Sequence, residues 1–403
     1  DPMPALPLIF IFMTVTIDAM GIGLILPVMP DLIREISQES LAQAAVWGGV
    51  LSTVFAVMQF LFAPIIGSLS DAVGRRPVLL VSLVVMALAY VVMALAGSLW
   101  LLLAGRIVGG ITAATHSTAQ AYVADISTPE KKAQNFGLLG AGFGLGFVLG
   151  PVLGGLLAEW GTRAPFLAAA ALAALNALLG WIVLRESVTE RTRRPFSWSN
   201  ANPFGALRMI GRLPGLGPLL WVFFLYHLAG AVYPVIWAYF TTERFAWSPG
   251  LIGISLAVYG LSLAAVQGGL VRPAIERLGE RRTVIAGLAI EFVSLIVIGL
   301  LTSGWLLLLL IPISALGAIG FPALQSIASR AVPDDAQGAL QGVMTSLASI
   351  AMVIAPLLMT QTFAVFTDGT LPFYLPGAPF LLAALIMALC LMVFLRRPTV
   401  SDR

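Results

Sequence analysis

The chain has 403 residues, a mean hydropathy of +0.97, and only 10% charged side chains against 59% hydrophobic ones. That balance excludes a water-soluble globular domain, which needs far more polar surface than this. The net charge of +3 and pI near 9.2 do not point to nucleic acid, because the basic residues sit in short loops and form no basic stripe or binding motif.

Runs of about twenty apolar residues recur along the whole length, each enough to cross a hydrocarbon core as a helix. Twelve spans are predicted, at 6–29, 44–66, 78–97, 99–123, 135–157, 165–184, 216–240, 249–270, 283–301, 304–326, 340–362 and 376–395. The first contains Asp18 and lacks both a basic leading segment and a cleavage site, so it reads as a retained span rather than a signal peptide. One long hydrophilic segment, 185–215, divides the spans six and six. The expected organisation is an N-terminal half at 1–184, a linker at 185–215 with a short amphipathic helix along 204–213, and a C-terminal half at 216–403. The lone Cys390 falls in the last span, so no intrachain disulfide is available.

Of 22 Lys and Arg residues, 18 fall on the side that holds both termini and the linker, three (Arg34, Arg163, Arg244) on the other, and Arg106 inside a span. The positive-inside rule then places both termini and the linker in the cytoplasm.

The second half echoes the first. Arg75-Arg76 recurs as Arg281-Arg282, a shift of 206; Trp100 recurs as Trp305, Gly137 as Gly342 and Pro151 as Pro356, each a shift of 205. Pro129 recurs as Pro333, a shift of 204. A near-constant offset reads as duplication, the plan of a carrier whose halves rock about a central site.

Between the second and third spans lies Gly67-Ser-Leu-Ser-Asp71-Ala-Val-Gly74-Arg75-Arg76. Its glycines suit a sharp turn and a close neighbour, and Asp71, Arg75 and Arg76 suit pairing with helix ends and opposite charges. An ordinary positive-inside anchor is the simpler alternative for the two arginines. This stretch resembles the signature of the major facilitator superfamily. Gly146-x-x-x-Gly150-Pro151-x-x-Gly154-Gly155 in the fifth span resembles the motif of its proton-driven antiporters. The resemblance covers nearly the whole chain and implies an all-α membrane protein, twelve transmembrane helices in two pseudo-symmetric six-helix bundles. Within the superfamily the chain is most similar to the tetracycline–proton antiporters, through Asp18–Pro27, Met58–Pro64, Gly105-Arg106, Pro322–Gln325 and Gln337–Gly342. It departs from that pattern at Ala89, where those exporters carry an acid, and at Leu263, where they carry a histidine. Their helix-nine aspartate aligns with Glu291, and a helix-four glycine with His116.

Three ionisable residues inside spans are expected to couple protons: Asp18, Glu291 and Arg106. A carboxylate ionised in hydrocarbon costs at least about 2.5–3.5 kcal/mol, so Asp18 should face water on one side, with Thr14 and Gly21 on the same face. Arg106 needs a counter-ion: Asp18, Glu291 or an anionic substrate group. Ala113 and Ser117 fall within about 20° of it and Gly110 and Gln120 within about 40°, a small or polar stripe suited to a cavity wall. Structural pairing between helices is the competing role for all three.

The expected substrate-binding residues are Gln59, Ala113, His116, Ser117, Gln120, Tyr226, His227, Tyr233, Trp237 and Gln325, with Gln267 a weaker candidate. Tyr226, Gly230, Tyr233 and Trp237 share a helical face, which suits a flat amphiphile or plain helix packing. His116 and His227 suit either titration near neutral pH or capping by a backbone carbonyl, and make a poor metal site, having no acidic or thiol cluster beside them. Gating is expected from Gly67, Asp71, Gly74, Arg75, Arg76 and Asp125, with Arg75 or Arg76 pairing to Asp125. Gly146, Gly150, Pro151 and Gly154 are expected to join the gating set, as a smooth, kinked face on the fifth helix.

These residues imply a proton-coupled exporter of the bacterial inner membrane, working by alternating access; an enzyme is not expected, since the sequence has no nucleotide loop, nucleophile triad or ligand cluster. The resemblance implies a small amphiphilic drug as cargo, tetracycline first. No cofactor is implied; protons are the coupling ion, and magnesium enters only within a chelated substrate. The expected partners are that substrate, protons and lipid, with no nucleic acid, and a monomer is the expected functional unit. The alternatives are a carrier of another drug or a metabolite, and a non-transporting membrane receptor.

Overall fold

Each predicted span lies on a helix of the structure, a computed structural model that describes residues 5–113, 115–128, 132–333 and 336–397. Among the described residues twelve helices are long and apolar enough to cross a membrane. They are α1 (Leu6–Ser37), α2 (Leu41–Val73), α3 (Arg75–Ala94), α4 (Leu99–Ile126), α5 (Leu138–Trp160) and α6 (Ala164–Val183), then α7 (Gly217–Phe245), α8 (Pro249–Gly269), α9 (Glu280–Leu300), α10 (Gly304–Arg330), α11 (Ala339–Thr367) and α12 (Ala378–Arg396). Several outrun the predicted spans, because an apolar window detects the hydrocarbon-spanning part and helices continue into polar ends. The polar turn Asp31–Arg34 at the end of α1, closed by its own ion pair at 2.8 Å, is an example.

Prolines and glycines set the irregularities. α1 tightens to a 3-10 turn at Leu26–Val28 around Pro27. α7 breaks at Ala231, three residues before Pro234, whose missing N–H removes a helical hydrogen bond there. α10 contains a 3-10 stretch, Ala315–Ile319, with Pro322 three residues beyond its end. None of these breaks was predicted, since apolar content alone defines a span.

By packing, the chain divides into two units. The first comprises residues Asp1–Glu39, Val54–Gly205 and Ser248–Ala257; the second comprises Ser40–Thr53, Ala206–Trp247 and Val258–Arg403. The boundary at 205/206 lies in the linker, but the start of α2 packs with the second unit and the start of α8 with the first. In the first unit α1 packs along α5 and α6, and α3 packs on α4 and α6. In the second, α9 packs on α10 and α12, and α7 on α11 and α12. The linker is mostly turns, and a 3-10 helix at Leu207–Arg212 stands where an amphipathic α-helix was expected.

Candidate functional site

In the first unit, Asp18 lies on α1 with one carboxylate oxygen buried and without a hydrogen-bond partner. One turn earlier, buried Thr14 donates to the Phe10 carbonyl and lies 3.3 Å from the amide of buried Asn176 on α6. Tyr90 of α3 is buried, sits against α1 at Gly21, and is within electrostatic reach of both Asp18 and Arg106. Sequence reasoning missed Tyr90, Asn176 and Phe55. An isolated tyrosine in an apolar run gives no pattern, and only the folded contact reveals it.

Arg106 places its guanidinium over the Phe55 ring of α2, 4.2 Å from the centroid. Beside it, a side chain at Gly110 would meet the Phe55 carbonyl and, at 2.8 Å, Met58. At Gly110 α2 covers the face expected to line a cavity, because glycine lets the two backbones approach, while Arg106 itself is half-buried. Ala113 is half-buried, and Gln59 and Gln120 are exposed. The side chains of His116 and Ser117 lie outside the described residues.

Four α5 glycines, Gly142, Gly146, Gly150 and Gly154, face α1. A side chain at Gly146 would meet Ala19 at 2.6 Å, one at Gly150 the Met20 carbonyl at 2.7 Å, and one at Gly154 the Leu24 backbone at 2.8 Å. Pro151 lies within the same helix, buried against α1 and α8. The helix that carries Asp18 is thus held against α5 by backbone contacts from Thr16 to Leu24.

In the second unit, Glu291 of α9 is buried at 6% exposure. Its carboxyl group lies against the 3-10 stretch of α10: a Cβ at Gly317 would sit 2.7 Å from Glu291 Cγ and 2.8 Å from Oε1. Tyr226, Tyr233 and Tyr259 are within its electrostatic reach. Tyr226 stacks on Phe321 at 5.1 Å, His227 meets the same ring edge-on at 5.3 Å, and Tyr233 stacks on Tyr259 at 5.7 Å. Trp237 lies beside Tyr233, with ring centroids 6.3 Å apart. It is buried among Phe240, Trp247 and Phe380 and belongs to the packing core. Gln267 and Gln325 are exposed.

The signature stretch is not a loop. α2 runs helically to Val73, and Gly74 alone, at φ +109°, makes the turn into α3. Gly74 is needed twice, for that backbone and because the Glu186 carboxylate fills the space of a side chain. Gly67 faces open space, so its expected close contact is corrected. Arg75 pairs with Asp71, donates to Ser70 at 2.7 Å, and reaches Asp125 on α4 at 3.1 Å. Asp125 also accepts from Ser187 at 2.7 Å. Glu186 accepts from the backbone N–H of Arg75 at 2.9 Å and of Arg76 at 3.2 Å, capping α3. Arg76 does not join Asp125. It donates to the Leu184 and Trp181 carbonyls at the end of α6 and lies over the Trp181 ring.

The second unit repeats this plan with inverted charge. Arg281 donates to the Leu395 and Arg397 carbonyls and lies over Phe394, as Arg76 does on α6. The counterpart of Arg76 is therefore Arg281, at the common shift of 205, and the 206 pairing of the two arginine doublets is corrected. By the same shift Arg75–Asp125 corresponds to Glu280–Arg330, which pair at 2.7 Å. Glu280 opens α9 and Arg330 ends α10, so both charges agree with the helix dipoles; Arg75 opens α3 and Asp125 lies at the end of α4, so both oppose them. Asp71 and the Glu186 cap supply the negative charge that the start of α3 lacks.

This architecture, two six-helix sets carrying the same loop device and one internal carboxylate each, is that of a membrane carrier. The Major Facilitator Superfamily model matches residues 11–232 and 219–403, and the chain belongs to that family. It is 43% identical over 358 residues to the class C tetracycline resistance protein of Escherichia coli, covering 89% of each chain. It is 39% identical over 392 residues to the class G tetracycline resistance protein of Vibrio anguillarum, covering 97% of each. Among solved structures it is similar to the human organic anion transporter MFSD10, with 26% identity, a TM-score of 0.72, and coverage of 98% of this chain and 100% of that one. A bacterial homologue of the human lysosomal transporter Spinster matches in fold, with 16% identity, a TM-score of 0.79, and coverage of 100% and 99%. The protein is a multi-pass membrane protein.

Proposed function

We propose that this chain exports tetracycline-like amphiphiles from a bacterial cytoplasm in exchange for protons. The observation that carries this reading is one carboxylate held inside each unit: Asp18 with a buried, unpartnered oxygen, and buried Glu291 within electrostatic reach of three tyrosines. They stand in a chain 43% identical to a tetracycline resistance protein. Protons arriving from outside neutralise Asp18 and Glu291 and displace the drug; drug binding inside favours proton release to the cytoplasm. A charge crossing 100 mV is worth about 2.3 kcal/mol, so one proton per cycle sustains roughly a tenfold gradient or more. The protein works in the inner membrane as a monomer with both termini cytoplasmic, needs no cofactor, and takes magnesium only as part of a chelated drug. The Tyr226–Phe321 and Tyr233–Tyr259 stacks offer flat apolar faces with polar tips for such a ligand.

A second reading, export of a different amphiphile, is favoured by Ala89 and Leu263. Both lie in apolar packing where the tetracycline pattern has titratable groups. The test is resistance to a drug panel in a pump-deleted host, with uptake into inside-out vesicles under an imposed pH gradient, wild type against Asp18→Asn. Tetracycline resistance and gradient-driven uptake lost in Asp18→Asn support the proposal; resistance to other drugs alone selects the second reading. Uptake that ignores the gradient rejects both.

A further inference from the structure

The 3-10 stretch in α10 spans five residues, Ala315–Ile319, longer than the three or four at which such turns usually stop. Pro322 supplies one cause, since it has no N–H to offer the carbonyl of Ala318. A second cause lies across the helix pair. Gly287, one turn before Glu291 on the same face of α9, meets α10 backbone to backbone: its missing Cβ would lie 2.6 Å from Gly320 and 2.8 Å from the Gly317 carbonyl. Glu291 itself occupies the space of the missing side chain at Gly317, with its Cγ at 2.7 Å, Oε1 at 2.8 Å and Cδ at 3.0 Å from that point. The contact is buried on both sides. The titratable groups that face Glu291 are Tyr226 and Tyr233 of α7 and Tyr259 of α8, with Cys390 of α12 beyond Tyr226. α10 carries no charged side chain before Arg330. The carboxyl group of Glu291 therefore rests on the most weakly hydrogen-bonded segment of its neighbour.

We propose that Gly317 is the positioning residue for Glu291: its bare backbone seats the carboxyl group, and the 3-10 turn around it yields when Glu291 gains or loses its proton. This rests on the proton-coupling role proposed for Glu291. It adds the route by which a protonation event becomes a change in helix shape, since a turn with poor hydrogen-bond geometry is the cheapest part of α10 to rearrange.

The experiment uses the full-length protein in inside-out vesicles and in detergent, with magnesium–tetracycline as probe. Gly317→Ala is compared with Gly268→Ala, whose methyl group meets nothing within 4 Å. Gly317→Ala should move the pH midpoint of gradient-driven uptake by about half a unit or more, a threefold change in proton affinity. It should also lower thermal stability, and that loss should vanish in a Glu291→Ala background, where the seat is empty. Gly268→Ala should do neither. A midpoint within experimental error of wild type overturns the proposal, and so does a stability loss that persists without Glu291. If Gly317→Ala alone does not fold, the Gly317→Ala/Glu291→Ala double variant must recover folded protein, and its failure to do so also overturns the proposal. Glu291→Gln separates the two layers. It keeps the shape of the side chain, so gradient-driven uptake that survives it refutes the proton role of Glu291 while leaving the steric cycle to be scored on its own.

Discussion

One substitution, glycine to alanine, should have opposite effects at two positions on α5. At Gly154 a methyl group would lie 2.8 Å from both the carbonyl carbon and the Cα of Leu24, with the carbonyl oxygen nearer still. Ordinary carbon contacts need about 3.5–4.0 Å, so α1 must retreat by roughly 0.7 Å or more. The obstacle is backbone, which no rotamer change relieves. Overpacking costs typically about 1–3 kcal/mol, and the upper part of that range applies here. The gain in helix propensity, about 1 kcal/mol, leaves a net loss near 2 kcal/mol. At Gly144 nothing lies within 4 Å, so the same methyl group should stabilise by up to about 1 kcal/mol. At roughly 2–4 °C per kcal/mol for a body of this size, the two variants should differ by about 6–12 °C in thermal unfolding. Transport should fall further than stability in Gly154→Ala, because α1 carries Asp18 and misplacing a reacting group by about 1 Å can cost a hundredfold. Equal melting temperatures for Gly144→Ala and Gly154→Ala would refute the backbone-to-backbone account of the helix-five motif.

Asp125→Asn removes the charge that Arg75 and Ser187 share, and should lower turnover with drug affinity intact; unchanged transport kinetics count against a gating role for the Arg75 cluster. Glu186→Ala strips α3 of its cap and should cost about 0.5–2 kcal/mol, read as a lower melting temperature. Reversing the second pair, Glu280→Arg with Arg330→Glu, preserves the attraction but opposes both helix dipoles. Arg330 is 77% exposed, so the loss should be about 1 kcal/mol, and it should shrink as salt is raised. A melting temperature equal to wild type would show that the dipole contrast between the two units has no energetic weight.

Much of the first level was legible in the linear chain. Apolar length forces helix wherever backbone groups must satisfy one another without water, so all twelve spans and the linker between them could be read directly. The repeat offset exposed the duplication, and isolated charges in apolar runs marked Asp18, Arg106 and Glu291, because burying a charge is expensive enough to be meaningful. The contact between Arg75 and Asp125 was legible for the same reason. The partners of these groups were not. Tyr90, Phe55, Asn176 and Gly317 are common residues in apolar surroundings, and nothing local distinguishes a packing tyrosine from one that faces a carboxylate.

Periodicity alone could not tell that Trp237 packs among other aromatics or that α2 covers Gly110, since it cannot say which neighbour covers a stripe. The sequence by itself determined what must be buried, because hydration energies belong to residue types. Which buried group touches which was decided only by tertiary structure. Close backbone approach at glycine and lost hydrogen bonds at proline depend on the neighbour that happens to lie there.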